Sequence, residues 1–234
     1  KVMIDLDRAE LDKESLDMDI RILADAKIVI EALIEALQGK VLDTQRWLEQ
    51  CREWKRKYPV ILQDYKEQET PVNSYYFIEV LSDILGKEDI VVTDMGLAFQ
   101  GTHQAFRVKK GQKLFTNSGF AAMGWGLPAA VGACIAHDRK RVICISGDGG
   151  LQMNIQELAT VMHNELPVKL FIYNNGGYQT IKQTQELSFE GHLMGCNEDS
   201  GLSFPDFIAI GQAHGIRSVR IESQVNLEAA VREI

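Results

Sequence analysis

The sequence predicts an α/β fold, a doubly wound and mostly parallel sheet with helices on both faces, preceded by a strand-helix remnant of a central α/β domain. Three observations lead there. From Pro71 onward, short apolar runs (Ile90 to Thr93, Val142 to Ser146 and Val168 to Tyr173) alternate with stretches of helical periodicity. Strands that are apolar throughout are buried on both faces, which is what a parallel sheet connected by helices achieves. Each run ends in a loop containing Gly, Asp or Asn, where sheets of this kind hold their ligands.

In chain order, Val2 to Asp7 reads as a strand with no earlier element to pair it. From Asp25 the residues Ala26, Val29, Ile30, Leu33, Ile34 and Leu37 recur at helical spacing, with Asp25 as N-cap and Gly39 near the end. One strand and one helix cannot close a core. Residues 1–38 are therefore expected to be the C-terminal remnant of a domain whose remainder lies upstream. Residues 39–70 read as a helical linker, charged from Asp43 to Lys66, whose apolar stripe of Trp47, Cys51 and Trp54 is expected to pack against the neighbouring domain. Residues 71–234 form the ligand-binding domain. In it, Asn73 or Ser74 caps a helix bearing Phe77, Val80, Leu81, Ile84 and Leu85, which Gly86 stops. The Gly-rich segment from Ser118 to Gly132 ends in a helix. A further helix carries Leu151, Ile155, Leu158, Ala159 and Met162 on one face, and Ile216 to Ile234 reads as strand then helix.

Composition narrows the function classes. With 25 Lys plus Arg against 33 Asp plus Glu, the net charge of −8 argues against a nucleic-acid or polybasic membrane-surface role. No apolar stretch approaches the roughly 20 residues of a membrane span, and the chain does not open on a basic then apolar leader. Cys51, Cys134, Cys144 and Cys196 include no Cys-x-x-Cys pair, which favours reduced thiols and a cytoplasmic address. The five histidines show no metal-ligand spacing, although His103 and Gln104 follow a candidate ligand loop. A nucleotide-binding module has no support, because neither a phosphate-binding Gly-x-x-x-x-Gly-Lys-Ser/Thr nor a Gly-x-Gly-x-x-Gly after the first strand is present.

Three loops should converge on one sheet edge: Thr93-Asp94-Met95-Gly96, Ser146-Gly147-Asp148-Gly149-Gly150 and Tyr173-Asn174-Asn175-Gly176-Gly177. The glycines around Asp148 let the backbone approach a ligand, and a helix starting near Leu151 would aim amide donors at a phosphate. Asp148 and Asn175 offer hard oxygen donors, suited to a magnesium ion shared with substrate phosphates. Singly, each loop reads as a turn, since these residue types dominate turns.

Together they carry a resemblance. The sequence resembles the thiamine diphosphate-dependent enzymes, whose signature is Gly-Asp-Gly followed by Asn-Asn. Here Gly147-Asp148-Gly149 precedes Asn174-Asn175 at the interval that signature requires. The segments Met123-Gly124-Trp125-Gly126-Leu127-Pro128-Ala129-Ala130 and Gln152-Met153-Asn154-Ile155-Gln156-Glu157-Leu158-Ala159-Thr160 are similar to the acetohydroxyacid (acetolactate) synthase branch. The resemblance implies the thiamine diphosphate-binding fold. It places the metal on the Asp148 carboxylate, the Asn175 side-chain oxygen and the Gly177 backbone carbonyl. Gly96, Leu97, Ala98 and Phe99 match the loop lining the diphosphate and thiazolium, with phosphate contacts expected from backbone amides because the side chains are apolar. Gly147, Gly149, Gly150 and Tyr178 complete the implied cofactor wall. Met123 matches the large apolar residue that bends the coenzyme into a V, with backbone groups of Ala121 and Met123 holding the aminopyrimidine edge.

The implied reaction is decarboxylation of a 2-oxo acid, with pyruvate expected, followed by carboligation to an acceptor. The synthases carry a methionine and a tryptophan in the acceptor pocket where this chain has Thr180 and Thr184. That difference keeps a nucleotide-linked keto-sugar acceptor, of the kind used in surface polysaccharide biosynthesis, as an alternative, beside a catalytically inactive module of the same fold. The resemblance assigns the glutamate that triggers the coenzyme to an N-terminal domain outside this chain, so no catalytic residue is expected here and the chain alone is expected to be inactive. It further implies a homodimer or homotetramer, and FAD is compatible with the full-length protein.

Overall fold

The computed structural model describes all residues from Lys1 to Ile234. The chain divides into two compact units, Lys1–Tyr58 and Pro59–Ile234.

The first unit contains β1 (Val2–Asp5), α1 (Arg8–Leu11), β2 (Ile20–Leu23), α2 (Ala26–Ala36) and α3 (Gln45–Lys57). β1 and β2 pair in parallel, with Val2 opposite Ile20. The sequence reading has only the first of these strands; the second, interrupted by Arg21, is fixed by its partner rather than by its own pattern. Asp25 caps α2 as expected, accepting the Lys27 N–H at 2.7 Å. On α3, Trp47 and Trp54 pack edge to face with ring centroids 5.6 Å apart.

The second unit contains α4 (Gln63–Glu67), α5 (Ser74–Ile84), β3 (Ile90–Thr93), α6 (Leu97–Ala105), β4 (Lys113–Phe115), α7 (Gly126–Ala136), β5 (Val142–Gly147), α8 (Asp148–Gln152), α9 (Glu157–His163), β6 (Val168–Tyr173), α10 (Gln179–Ser188), a 3-10 turn (Glu198–Ser200), α11 (Phe207–Ala213) and α12 (Leu227–Glu233). Asn73 caps α5 through the Tyr75 and Tyr76 N–H groups. The buried Gln224 fastens the Pro59–Thr70 segment: its amide donates to the Tyr65 and Lys66 carbonyls, and its oxygen accepts the Asn73 N–H.

The sheet order is β4-β3-β5-β6 and every pairing is parallel. Alternation along the strands sorts the core into two layers. Val91, Ile143 and Ile145 face Phe77, Leu81, Ala98 and Leu227 of α5, α6 and α12. Ile90, Val92, Val142 and Cys144 face Leu127, Ala130, Leu158 and Phe207 of α7, α9 and α11. Both faces are thus covered by helices, as the continuous apolar strands predict.

The connection out of β3 leads to β4 on one side of the sheet, whereas the connection out of β5 leads to β6 on the other. A crevice opens where such connections diverge, at the carboxyl ends of adjacent strands. Here it falls at the ends of β3 and β5.

Three local expectations change. The helix predicted through Leu151 and Met162 is two, α8 and α9, because Asn154 turns its side chain to the Gly124 carbonyl at 2.8 Å and the chain bends there. The loop Gly96 to Phe99 is the start of α6, which Gly96 precedes at φ +71°, a conformation open to glycine. Residues 216–221 hydrogen-bond to no strand; Ile216 and Ile221 pack into opposite layers of the core instead.

Candidate functional site

At this crevice lies a cavity of about 370 Å³. One wall is the first turn of α6, from Gly96 through Phe99. The N–H groups of a first helical turn have no partner inside the helix, so this wall can offer backbone donors to an anion without any polar side chain. A second wall is Ala121 and Met123, and the floor is Gly147 to Gly150 with Asn175, Gly177 and Tyr178. Thr180 also lines the cavity. Thr184 does not; it lies one turn further along α10, exposed, and donates its hydroxyl to the Thr180 carbonyl at 2.9 Å.

Asp148 stands at the end of β5 and is 2% exposed. Its Oδ1 accepts the Gly149 N–H at 2.7 Å, and its Oδ2 accepts the N–H groups of Asn175 at 3.0 Å and Gly176 at 2.7 Å. Burial pushes the carboxyl above the usual aspartate range, and these backbone donors pull it partly back. Tyr178 leans over the floor: a Cβ on Gly149 would stand 2.0 Å from its ring. The segment after Gly177 is held by the Cys196 carbonyl, which accepts the Tyr178 N–H at 2.8 Å.

The donor set fits a shared hard cation. No group of three His, Cys, Asp or Glu side chains capable of caging a metal occurs in the chain. The cavity lining holds a single carboxylate, that of Asp148; its amide side chains are Gln100, Asn175 and Gln179, of which Asn175, like the Gly177 carbonyl, lies on the loop that hydrogen-bonds Asp148. Magnesium typically takes such a sparse protein set together with phosphate oxygens and water.

Met123 is 37% exposed at the cavity wall rather than core filler. Ala121 sits in the left-handed region at φ +58°, and its N–H is taken by the Asn117 carbonyl at 2.7 Å, which leaves its own carbonyl for a ligand. No histidine lines the cavity; His103 stacks on Phe99 with centroids 4.7 Å apart.

Sequence reasoning placed Asp94 and Ser146 on the converging loops but gave neither a role, and it gave none to Asn154. Asp94, at the end of β3 and 1% exposed, accepts the Ser146 hydroxyl at 3.0 Å and the Gly124 N–H at 3.1 Å. Burial of a carboxylate between two strand ends leaves no local pattern. Only the clustering of glycines at positions 124, 126 and 150, whose added Cβ atoms would strike Asp94 or the Met153–Asn154 turn, hints at a crowded centre.

A family model described as thiamine pyrophosphate enzyme, C-terminal TPP binding domain, matches residues 94–234. The chain is 32% identical over 242 residues to the acetolactate synthase large subunit of Cyanidium caldarium, covering 100% of this chain and 39% of that protein. Identity is 29% over 233 residues to the acetolactate synthase isozyme 1 large subunit of Escherichia coli, with 100% and 40% covered. It is 32% over 244 residues to the probable acetolactate synthase large subunit of Methanocaldococcus jannaschii, with 99% and 39% covered. The chain therefore spans about two fifths of the length of the curated relatives it matches. No helix is long and apolar enough to cross a membrane. With the strand-end cavity and the matched domain in agreement, the chain belongs to the thiamine pyrophosphate-dependent enzymes and is similar in sequence to acetolactate synthase large subunits.

Proposed function

We propose that this chain supplies the diphosphate- and pyrimidine-holding part of a thiamine diphosphate–magnesium site in an enzyme that decarboxylates a 2-oxo acid, pyruvate first, and ligates the product to an acceptor. The observation that carries this reading is the meeting of Asp148, Asn175 and Gly177 on one cavity floor, opposite the α6 N-terminus and beside Met123. In this arrangement Asp148 and Asn175 hold the cation, the first-turn amides of α6 and the backbone at Gly150 receive diphosphate oxygens, and Met123 with the Ala121 carbonyl shapes the pyrimidine end. The apolar side chains of Leu97, Ala98 and Phe99 keep water from the thiazolium region.

The cavity contains no glutamate, and Asp148 is its only acid. In line with what the resemblance implies, the glutamate that triggers the coenzyme comes from the N-terminal domain, with a second subunit as its source in a homodimer or homotetramer. Calorimetry on the intact protein should show magnesium-dependent binding of thiamine diphosphate that Asp148→Ala abolishes; metal-independent binding unaffected by that change would end the reading.

A second acceptor class is supported by one feature. The α10 side of the cavity presents Gln179 and Thr180, groups that hydrogen-bond a hydroxylated acceptor better than an apolar one. Formation of acetolactate or acetohydroxybutyrate from 2-oxo acids alone favours the synthase activity, whereas turnover only with a nucleotide-linked keto-sugar favours the second.

A further inference from the structure

We propose that Asp94 and Asn154 are positioning residues that fix the aminopyrimidine seat by gripping the Gly124 peptide from both sides, and that Asp94 couples this seat to the metal-binding loop. The inference rests on the coenzyme placement proposed above. Gly124 directs its N–H to both carboxylate oxygens of Asp94 at 3.1 Å, and its carbonyl accepts the Asn154 side-chain amide at 2.8 Å. With both polar groups of one residue held by side chains from separate elements, the backbone around Gly124 cannot rotate without breaking a buried hydrogen bond. Met123, which forms the cavity wall, is attached directly to it.

Asp94 reaches further. Its Oδ1 also accepts the Met95 N–H at 2.9 Å, and its Oδ2 accepts the Ser146 hydroxyl at 3.0 Å, two residues before Asp148. One carboxylate thus joins the β3 loop that leads into α6, the turn carrying Met123 and the strand end carrying Asp148. The surroundings allow no slack: an added Cβ would stand 2.2 Å from Asp94 Oδ2 at Gly150, 2.8 Å from Asp94 Cβ at Gly126 and 2.5 Å from Met153 Cβ at Gly124. Neither Asp94 nor Asn154 lines the cavity, so both act through the backbone they hold.

The two residues should separate in binding experiments on the intact protein with two probes, thiamine diphosphate plus magnesium, and magnesium pyrophosphate alone. Asn154→Ala should weaken thiamine diphosphate about tenfold, the scale of one buried hydrogen bond, and leave magnesium pyrophosphate within about twofold, because Asn154 touches only the pyrimidine side. Asp94→Ala should weaken both probes, and Asp94→Asn, which keeps an acceptor for Gly124, should recover part of the thiamine diphosphate affinity. Asn154→Asp preserves volume while setting a carboxylate against the Gly124 carbonyl; it should give the same split and serves if Asn154→Ala does not fold. Unchanged thiamine diphosphate affinity in both Asn154 variants, or equal loss of the two probes, overturns the inference. A wild-type protein that binds neither probe overturns the coenzyme placement itself.

Discussion

The backbone N–H of Asn175 lies 3.0 Å from Oδ2 of Asp148, although 27 positions separate the two residues in the chain. The interval that marks the family in sequence is thus a direct contact in space. Asp148 organises the following loop through the backbone donors of Asn175 and Gly176. Replacing it with alanine should release the Asn175 and Gly176 amides, whose acceptor is a carboxylate and hence strong. Their hydrogen exchange, followed by mass spectrometry or NMR, should accelerate at least about tenfold while the β5 amides stay protected.

Gly147 and Gly150 frame the same aspartate but should answer differently to alanine. A Cβ at Gly147 meets nothing within 4 Å, whereas at Gly150 it would collide with the Asp94 carboxylate and come within 3.2 Å of the Ser146 hydroxyl. Urea unfolding should show Gly147→Ala within about 0.5 kcal/mol of wild type and Gly150→Ala destabilised by about 2 kcal/mol or more.

Met123 should matter to the coenzyme and hardly to the fold. Because its side chain is 37% exposed, Met123→Ala should change stability by less than about 1 kcal/mol. The same change should weaken thiamine diphosphate binding about tenfold, and Met123→Leu should retain most of it, since the role is one of bulk.

The raised titration of Asp148 gives a pH signature in the metal-free protein. Burial makes the folded carboxyl hold its proton to higher pH than the unfolded one. The stability gained from that proton is fully present below the unfolded value and is lost as pH rises through the folded value. The stability of wild type relative to Asp148→Asn should therefore decline as pH rises from about 4 through the folded value and then level off, measured by urea unfolding at a series of pH values.

The sheet and the meeting of its strand-end loops were legible in the sequence because each leaves a local mark. Apolar runs flanked by glycines give β3, β5 and β6, and Asp25 and Asn73 announce the helices they cap. The interval from Asp148 to Asn175 marks two residues that the fold brings into hydrogen-bond contact. What escaped is made by tertiary contact. Leu151, Ile155 and Leu158 keep helical spacing across a bend that only the Asn154 to Gly124 hydrogen bond reveals. β4 has three residues and is defined by pairing with β3, with Ile90 opposite Lys113. Asp94 looks like a turn aspartate until Gly124 and Ser146 are brought against it.

The alternation of β3 and β5 between two apolar layers has an evolutionary corollary. Val91 and Ile145 support the helix layer containing Ala98, whereas Val92 and Cys144 support the opposite layer. Substitutions in the first set act on the start of α6, and those in the second act on the layer holding Leu127 and Leu151, next to Gly126 and Gly150. Neither side of the sheet is therefore free to drift: one bears on the helix start that borders the cavity, the other on the glycines around Asp148.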